Sequence, residues 1–502
     1  MAKARVIAYD VGTSGVKAIV TDDCGRVLDS AERLYGIRTG SGGQVDQDLD
    51  EILAATTSVT RHLVERSRDG PGSIAGISVT GQMFNIVPVD RAGRPLAPML
   101  SWLDQRCAPK AVELARAMPA DAQYETLGAV ITGKDLLPKI MWLRDDRPDV
   151  FSKTAKLLDC KEAVVMHLTG RAVTDVGGAI TYRLFDVGSR QWQVSVCSAL
   201  GIPVSMLPEV EPATAIAGRV TKSAARDTGL LAGTPVVVGG GDLPASQIGA
   251  GAIGVGECHV SLGTSAHFGI TVDRLLPDPH RMQVVFGHMD PRLWIVCVEI
   301  AAAGGALTWF ARILLELTNS ALVDYEVVDR LVAECADELG GLVFCPWLSG
   351  ERVPVFDDRA KGAFVGLDLH HGAGHMLRAV MEGVAFQMRW ALEYATDYGQ
   401  PVREVRAVGG GLGDAWTQII TDVLGRPLLR IRNRKDAGAV GAAACGLVGL
   451  GLQPSFEFVR NVAAVDHVFE PALNADERYG TRFDTFCRLY DALRPIYHAV
   501  TA

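Results

Sequence analysis

The chain has 502 residues, a formal net charge of −9, 48% hydrophobic and 21% charged residues, and 54 glycines. That length exceeds one ordinary core, so two domains are expected, and the acidic balance, with no basic stripe among aromatics, argues against a nonspecific nucleic-acid surface. The ten cysteines contain no C-x-x-C pair, which disfavours a zinc or dithiol centre and reads as buried thiols in a reducing cytosol.

Residues 1–40 read as a β-meander, with strands at Val6–Asp10, Ala18–Asp22 and Val27–Tyr35. No signal peptide precedes the first strand, so a cytoplasmic location is expected. Asp48–Arg68 has the apolar period of a helix, and Ile74–Thr80 is a buried strand leading into Gly81-Gln82-Met83-Phe84-Asn85. Ile86–Val89 with a turn at Asp90–Gly93 predicts another hairpin. Gly133 to Trp192 mixes short helices and a hairpin, and Glu209–Gly233 reads as loop-rich. Pro235–Gly239 is a buried strand running into Gly239-Gly240-Gly241-Asp242, and a second strand–turn–strand pattern starts at Glu257. The domain boundary is therefore expected near residue 245, giving domains 1–245 and 246–502. Helices follow at Ala301–Thr318 and His375–Tyr398, then strand Val405–Val408, three glycines, and helix Trp416–Leu424. The most apolar run, Ala437 to Leu452, is broken by glycines and shorter than the ~20 residues of a membrane span, so it reads as a buried small-residue helix.

One phrase occurs twice. Tyr9-Asp10-Val11-Gly12-Thr13-Ser14 and Ser261-Leu262-Gly263-Thr264-Ser265 each close a strand with a Gly-Thr-Ser turn and open another strand. Such a turn presents backbone N–H groups and hydroxyls, which suits a polyphosphate. One copy near the start of each half suggests two related lobes gripping one nucleotide.

These motifs, with Gly81-Gln82-Met83, Trp102-x-Asp104-x-Arg106, Gly239-Gly240-Gly241-Asp242 and Pro346-Trp347-Leu348-Ser349-Gly350-Glu351-Arg352, carry a family resemblance. So do Gly362-Ala363-Phe364-Val365-Gly366-Leu367 and the run from His375 to Glu382, while the N-terminal signature is partial, with Lys139, Trp142 and Leu143 in place but Leu136 where a small hydroxyl residue or proline is usual. The chain resembles the FGGY carbohydrate kinases, most closely their xylulokinase branch, over about residues 5–450. The resemblance implies two α/β lobes of the ribonuclease-H-like kind shared by actin, hexokinase and heat-shock ATPases, with a catalytic cleft between them. The implied activity is ATP-dependent phosphorylation of a small sugar, a pentulose such as D-xylulose, with Mg2+ as cofactor.

The resemblance also implies roles. Asp242 matches the catalytic base, which accepts the sugar hydroxyl proton, and Asp10 matches the aspartate that orients magnesium through water. Gly12, Thr13, Ser14, Gly263, Thr264 and Ser265 would hold the triphosphate, with Lys17 either beside them or a solvated strand residue. Gly304, Thr308, Gly410, Gly411 and Asp414 match positions near the adenosine. The sugar would lie against Gln82, Met83, Phe84, Trp102, Asp104 and Asp242. Two residues depart from xylulokinases: Phe84 replaces a histidine and Leu243 a common asparagine. Losing two polar partners alters selectivity, so a poor xylulokinase acting on another ketose, a deoxysugar or a polyol is the alternative.

Gly249-x-Gly251-x-x-Gly254 matches a dinucleotide fingerprint but leads toward a strand rather than a helix, so a dehydrogenase is disfavoured. A sugar-independent ATPase of the same superfamily would share the glycine turns without needing the sugar residues. His370, His371 and His375 read as solvated or capping residues rather than a hydrolase centre. The expected partners are a sugar and ATP, with no nucleic acid and no membrane; homodimerisation stays open.

Overall fold

The computed structural model describes residues 4–67, 69–127, 129–316, 325–335, 339–410 and 413–500. By their contacts these residues divide into two compact units. Unit 1 comprises residues up to Ile253, Phe286–Ile295 and Asp436–Ala463; unit 2 comprises Gly254–Val285, Val296–Lys435 and the segment from Ala464. The chain therefore leaves unit 1 and returns to it, and the small-residue helix near residue 440 belongs to unit 1.

Unit 1 is built on a six-stranded sheet. Its strands are β1 (Arg5–Val11), β2 (Gly15–Thr21), β3 (Val27–Leu34), β4 (Ile74–Gly81), β5 (Ile216–Arg219) and β6 (Pro235–Gly241), in the order β5-β6-β4-β1-β2-β3. β1, β2 and β3 pair antiparallel as a meander, whereas β4 and β6 run parallel to β1. β1 is buried from Val6 to Tyr9, as a central strand covered on both faces must be. One side carries helix α1 (Leu49–Arg66), capped by Asp48, whose side chain accepts from Asp50 N. Its apolar stripe of Ile52, Leu53, Val59 and Leu63 joins the core formed by Ile7, Tyr9, Val79 and Val238. Helix α2 (Leu136–Asp146) enters a second core, and α3 (Cys160–Thr169) starts from an Asp159 cap.

The strand β6 is followed directly by α4 (Asp242–Gly249). Unit 2 holds most of a seven-stranded sheet of β7 (Glu257–Leu262), β8 (Ala266–Val272), β9 (Val284–Gly287), β10 (Trp294–Ile300), β11 (Glu404–Val408), β12 (Leu428–Ile431) and β13 (Val465–Phe469). Their order is β9-β10-β8-β7-β11-β12-β13, with β7 antiparallel to β8 and parallel to β11. Each sheet thus puts its Gly-Thr-Ser turn in the same place, between a first strand and the antiparallel second strand that separates it from the third. The helices that matter below are α5 (Gly304–Glu316), α6 (Ala373–Asp397), α7 (Asp414–Leu424), α8 (Ala437–Gly449) and α9 (Ala475–Val500). No helix among the described residues is long and apolar enough to cross a membrane.

The helix α8 packs on β1, β4, β6 and α4 within unit 1. Its small residues permit very close approach. A Cβ at Gly441 would lie 1.9 Å from the Ala245 carbonyl oxygen, and one at Gly249 would lie 1.8 Å from that of Ala437. Ala439, Val440, Ala442 and Ala443 then meet Ala8 and Ile19.

Three expectations are corrected. Val87–Val89 pairs antiparallel with Lys156–Leu158, and the turn at residues 90–93 returns only to a bridge between Val89 and Pro95, because the longer-range strand takes the ladder. The segment 209–233 is not mainly loop: it holds β5 and a helix at Lys222–Thr228 capped by Thr221. The helix expected from Ala301 begins at Gly304, after backbone bonds from residues 303–305 to the Gly263 turn.

Candidate active site

In unit 1, β1 buries Tyr9 and carries Asp10 next to its end, half-buried, opposite Lys17 on β2. The Asp10 carboxylate faces the start of α8, where a Cβ on Gly438 would lie 2.5 Å from its Oδ2. Lys17 also pairs with Asp436, the residue preceding α8. Burial pushes the Asp10 carboxyl up to about 6, with Lys17 opposing that rise and Asp436 adding to it.

The loop that delivers Asp242 depends on its glycines. Gly239 has φ +72°, and a Cβ there would lie 1.8 Å from the Val79 carbonyl oxygen. The ladder slips between Val237 and Gly240, and Gly240 and Gly241 then pair opposite Thr80 and Gly81. Only glycine accepts that left-handed, close-packed position. Met289 lies against Gly240 and Met83 against Gly241, 2.8 Å and 2.2 Å from where a Cβ would stand. Asp242 opens α4, and its Oδ1 accepts from Leu243 N at 2.8 Å. Burial, then the charge of Asp10, pushes its carboxyl up to about 7. The charge of Asp10 therefore reaches Asp242.

The Gly12–Ser14 turn is held by residues from elsewhere in unit 1. Tyr35 Oη donates to Gly12 O at 2.5 Å, Trp102 Nε1 donates to Thr13 Oγ1 at 3.0 Å, and Gln47 Nε2 donates to Thr13 O at 2.8 Å. Gln82 is 2% exposed and donates from Nε2 to Gln47 Oε1 at 2.9 Å. The other amide atom, Gln82 Oε1, is buried without a hydrogen-bond partner. An unpaired buried acceptor costs roughly 1–3 kcal/mol, which marks it as waiting for a donor.

Two loops carry the remaining predicted sugar residues, and one lysine ties them. Lys139 on α2 is fully buried and donates from Nζ to Phe84 O at 2.6 Å and Ser101 O at 2.9 Å. Burial lowers its pKa to about 8. Phe84 has φ +65°, a strained conformation for an aromatic residue. Its ring stands edge-on to Phe286 at 6.2 Å, and the Arg183 guanidinium lies 5.9 Å from its centroid. Arg183 Nε in turn donates to Asp135 Oδ1 at 2.8 Å. Trp102 is exposed, its backbone N donating to Asn85 Oδ1 at 2.9 Å. Asp104 departs from the expectation of a sugar contact. It is fully buried, and its carboxylate accepts from Val45 N, Arg106 N and Arg106 Nε, so it anchors the Trp102 loop instead.

In unit 2, Gly263, Thr264 and Ser265 form an exposed turn between β7 and β8. Ala303 N and Gly305 N donate to Thr264 O, and Gly304 N donates to Gly263 O, each at 2.9 Å. A Cβ on Gly304 would stand 2.4 Å from Gly263 O, so the turn rests directly on the start of α5. Thr308 Oγ1 donates back to Gly304 O at 2.9 Å. Gly409, with φ +103°, approaches Leu262 O and brings the exposed Gly410 beside the same strand end. Gly411 lies outside the described residues. Asp414 begins α7 and pairs with Arg430.

Four residues near these sites escaped the sequence reading. Gln47, Tyr35 and Asp436 act through partners far away in the chain. Glu351 is buried and accepts from Ala301 N at 3.0 Å and Arg352 N at 2.8 Å, so it holds the segment leading into α5. For Asp436, an acidic residue just before an Ala/Gly helix was a usable signal, and for Glu351 its place in the Pro346–Arg352 motif; Gln47 and Tyr35 had none.

Comparison with known proteins gives a consistent answer. The profile for the N-terminal domain of the FGGY family of carbohydrate kinases matches residues 5–249, and that for its C-terminal domain matches residues 258–450. A xylulose kinase of Bacillus subtilis is 29% identical over 97% of this chain and 96% of its own. A gluconokinase of Bacillus licheniformis is 26% identical over 98% of this chain and 96% of its own. The crystal structure of a xylulose kinase from Rhodospirillum rubrum superposes with a TM-score of 0.90 at 28% identity, covering 98% of this chain and 100% of that one.

Proposed function

From the premise that the chain belongs to the FGGY family of carbohydrate kinases and is a sugar phosphotransferase, we propose that it transfers the γ-phosphoryl group of ATP to a hydroxyl of a small sugar, a pentulose such as D-xylulose. Membership sets aside the sugar-independent ATPase. In this reading unit 1 supplies the acceptor site and base, and unit 2 supplies the nucleotide site.

One observation carries the reading: Asp242 stands at the end of β6 with its carboxyl pushed up to about 7 by burial and by Asp10. A base of that pKa is matched to neutral pH. Asp242 takes the proton of the acceptor hydroxyl as its oxygen bonds to the γ-phosphorus. The bond to the bridging oxygen breaks, and ADP leaves. Thr13, Ser14, Thr264 and Ser265 with their turn amides orient phosphate oxygens, and the Gly304 and Gly410 segments form the bed for the adenosine. Lys17 is held by Asp436 and adds positive charge beside the first turn.

The donor set suits Mg2+. The raised, half-buried Asp10 carboxyl is stabilised by a hard divalent cation, which keeps several waters and takes few carboxylates. Asp10 would hold the ion through water, and the ion would supply charge neutralisation to the triphosphate when bound, leaving Asp242 free to take the proton.

Gln82, Met83, Phe84 and Trp102 would face the acceptor. Phe84 and Leu243 favour an acceptor less polar than D-xylulose at those two positions, such as another ketose, a deoxysugar or a polyol. An aldonate is the second reading, because gluconokinases are among the relatives. A panel of ketoses, deoxysugars, polyols and aldonates with ADP detection ranks these acceptors. Asp242→Ala should abolish sugar-dependent turnover while ATP binding persists. A variant keeping more than about a hundredth of the rate, against the ~10²–10⁴-fold typical of general bases, overturns the assignment.

A further inference from the structure

The amides of Gln47 and Gln82 have only one consistent orientation. The Thr13 carbonyl can only accept, so Gln47 must point its NH2 group there, at 2.8 Å. That turns Gln47 Oε1 toward Gln82, which must therefore donate through Nε2, at 2.9 Å. Gln82 Oε1 is then left facing away, buried and unpartnered. Reversing either amide would set two acceptors or two donors against each other.

The result is a head-to-tail row of two amide dipoles that ends on the backbone of the Gly12–Ser14 turn and begins at an empty acceptor atom. A hydroxyl donating to Gln82 Oε1 would polarise both amides in the same sense and strengthen the bond at Thr13 O. Trp102 makes a second link, since its indole N–H donates to Thr13 Oγ1 at 3.0 Å. Gln47 is 0% exposed and sits on the short strand Val45–Gln47, so it acts on a substrate only through its bonds to Gln82 and Thr13.

We propose that Gln47 is a positioning residue that couples the acceptor sugar to the phosphate turn: a sugar hydroxyl donated to Gln82 Oε1 is relayed through Gln47 to the Thr13 carbonyl, aligning the turn for transfer only when an acceptor is present. The inference rests on the proposed reading of unit 1 as the acceptor site. It adds that the group at Gln82 is a hydroxyl rather than a carbonyl oxygen, and that the relay restrains transfer to water.

The test is stoichiometric. ADP and sugar phosphate are counted separately for the full-length enzyme with Mg-ATP, using whichever of D-xylulose, D-ribulose, D-gluconate and glycerol the wild type phosphorylates fastest. Gln47→Met keeps the length of the side chain and removes both bonds; Gln47→Leu does the same and stands in if the first variant does not fold. The expected result is at least two ADP per sugar phosphate, against one for wild type. Stimulation of ADP release by the sugar should fall at least tenfold, and the KM for ATP should stay within threefold. Gln82→Met should uncouple similarly, and the Gln47→Met/Gln82→Met pair should be no worse than the stronger single variant, as for members of one relay. A variant that is slower overall but still makes one ADP per sugar phosphate, with sugar stimulation unchanged, has lost only structure, and that overturns the relay. A wild-type enzyme whose ADP release ignores all four acceptors overturns the acceptor-site reading beneath it.

Discussion

Replacing Asp242 by asparagine should inactivate the protein and stabilise it, and the size of the second effect follows from the site. Burial and Asp10 lift the carboxyl from 3.8 to about 7. Below pH ~4 the group is neutral in both folded and unfolded chains, and it contributes no penalty. Between 3.8 and about 7 the unfolded chain ionises while the folded one holds its proton, so stability falls as pH rises; above about 7 the loss is complete. At about 1.4 kcal/mol per pH unit the full loss is at most about 4 kcal/mol, of which about 2–3 develops between pH ~5 and ~8. Asp242 keeps some contact with solvent, which reduces that to about 1–2 kcal/mol. Asp242→Asn has the same shape and no such term. Thermal unfolding without nucleotide or metal should therefore show the variant's advantage in Tm widening by about 1–3 °C from pH ~5 to ~8, at about 1–2 °C per kcal/mol for a chain of this size. A constant difference across that range would mean that the carboxyl is not held neutral, and would remove the electrostatic basis for calling Asp242 a base.

Two further substitutions probe the frame. Lys139→Met strips the donor from the Phe84 and Ser101 carbonyls; freeing both loops should raise the acceptor KM at least tenfold while the KM for ATP changes less than threefold, and equal increases in both would refute the loop-tying role. Gly441→Ala forces α8 from α4, because its Cβ would lie 1.9 Å from Ala245 O; overpacking of this kind costs about 1–3 kcal/mol, and an unchanged Tm would refute the close packing.

Local chemistry was the legible part of this chain. The two Gly-Thr-Ser hairpins were visible because each glycine turn sits between alternating apolar residues, and the strand before Asp242 because its apolar run ends in three glycines. What lay hidden was non-local. Gln47 meets Gln82 only after the intervening chain forms α1 and β4, so no spacing rule announces the pair. Asp104 looked like a pocket residue because a carboxylate buried against Arg106 and one facing a ligand have the same neighbours in sequence. Ile86–Val89 suggested a hairpin because the Asp90–Gly93 turn is a sound local signal, yet Lys156–Leu158 competes for the same edge. The strand β5 has few apolar residues and pairs at a sheet edge, which left it without a pattern to read.

The return of α8 to unit 1 has a consequence for biosynthesis. When the first 253 residues have emerged from the ribosome, the strands that carry Asp10 and Asp242 still lack the helix that covers Ala8 and Ile19 and buttresses α4. Translation at about 5–20 residues per second delivers residues 437–449 roughly ten seconds or more later. Over that interval the nascent sheet displays an uncovered apolar face, and the site cannot be completed until most of unit 2 has been made. A truncated product ending near residue 430 would thus contain every residue proposed for transfer and still lack the support that sets Asp10 against Gly438.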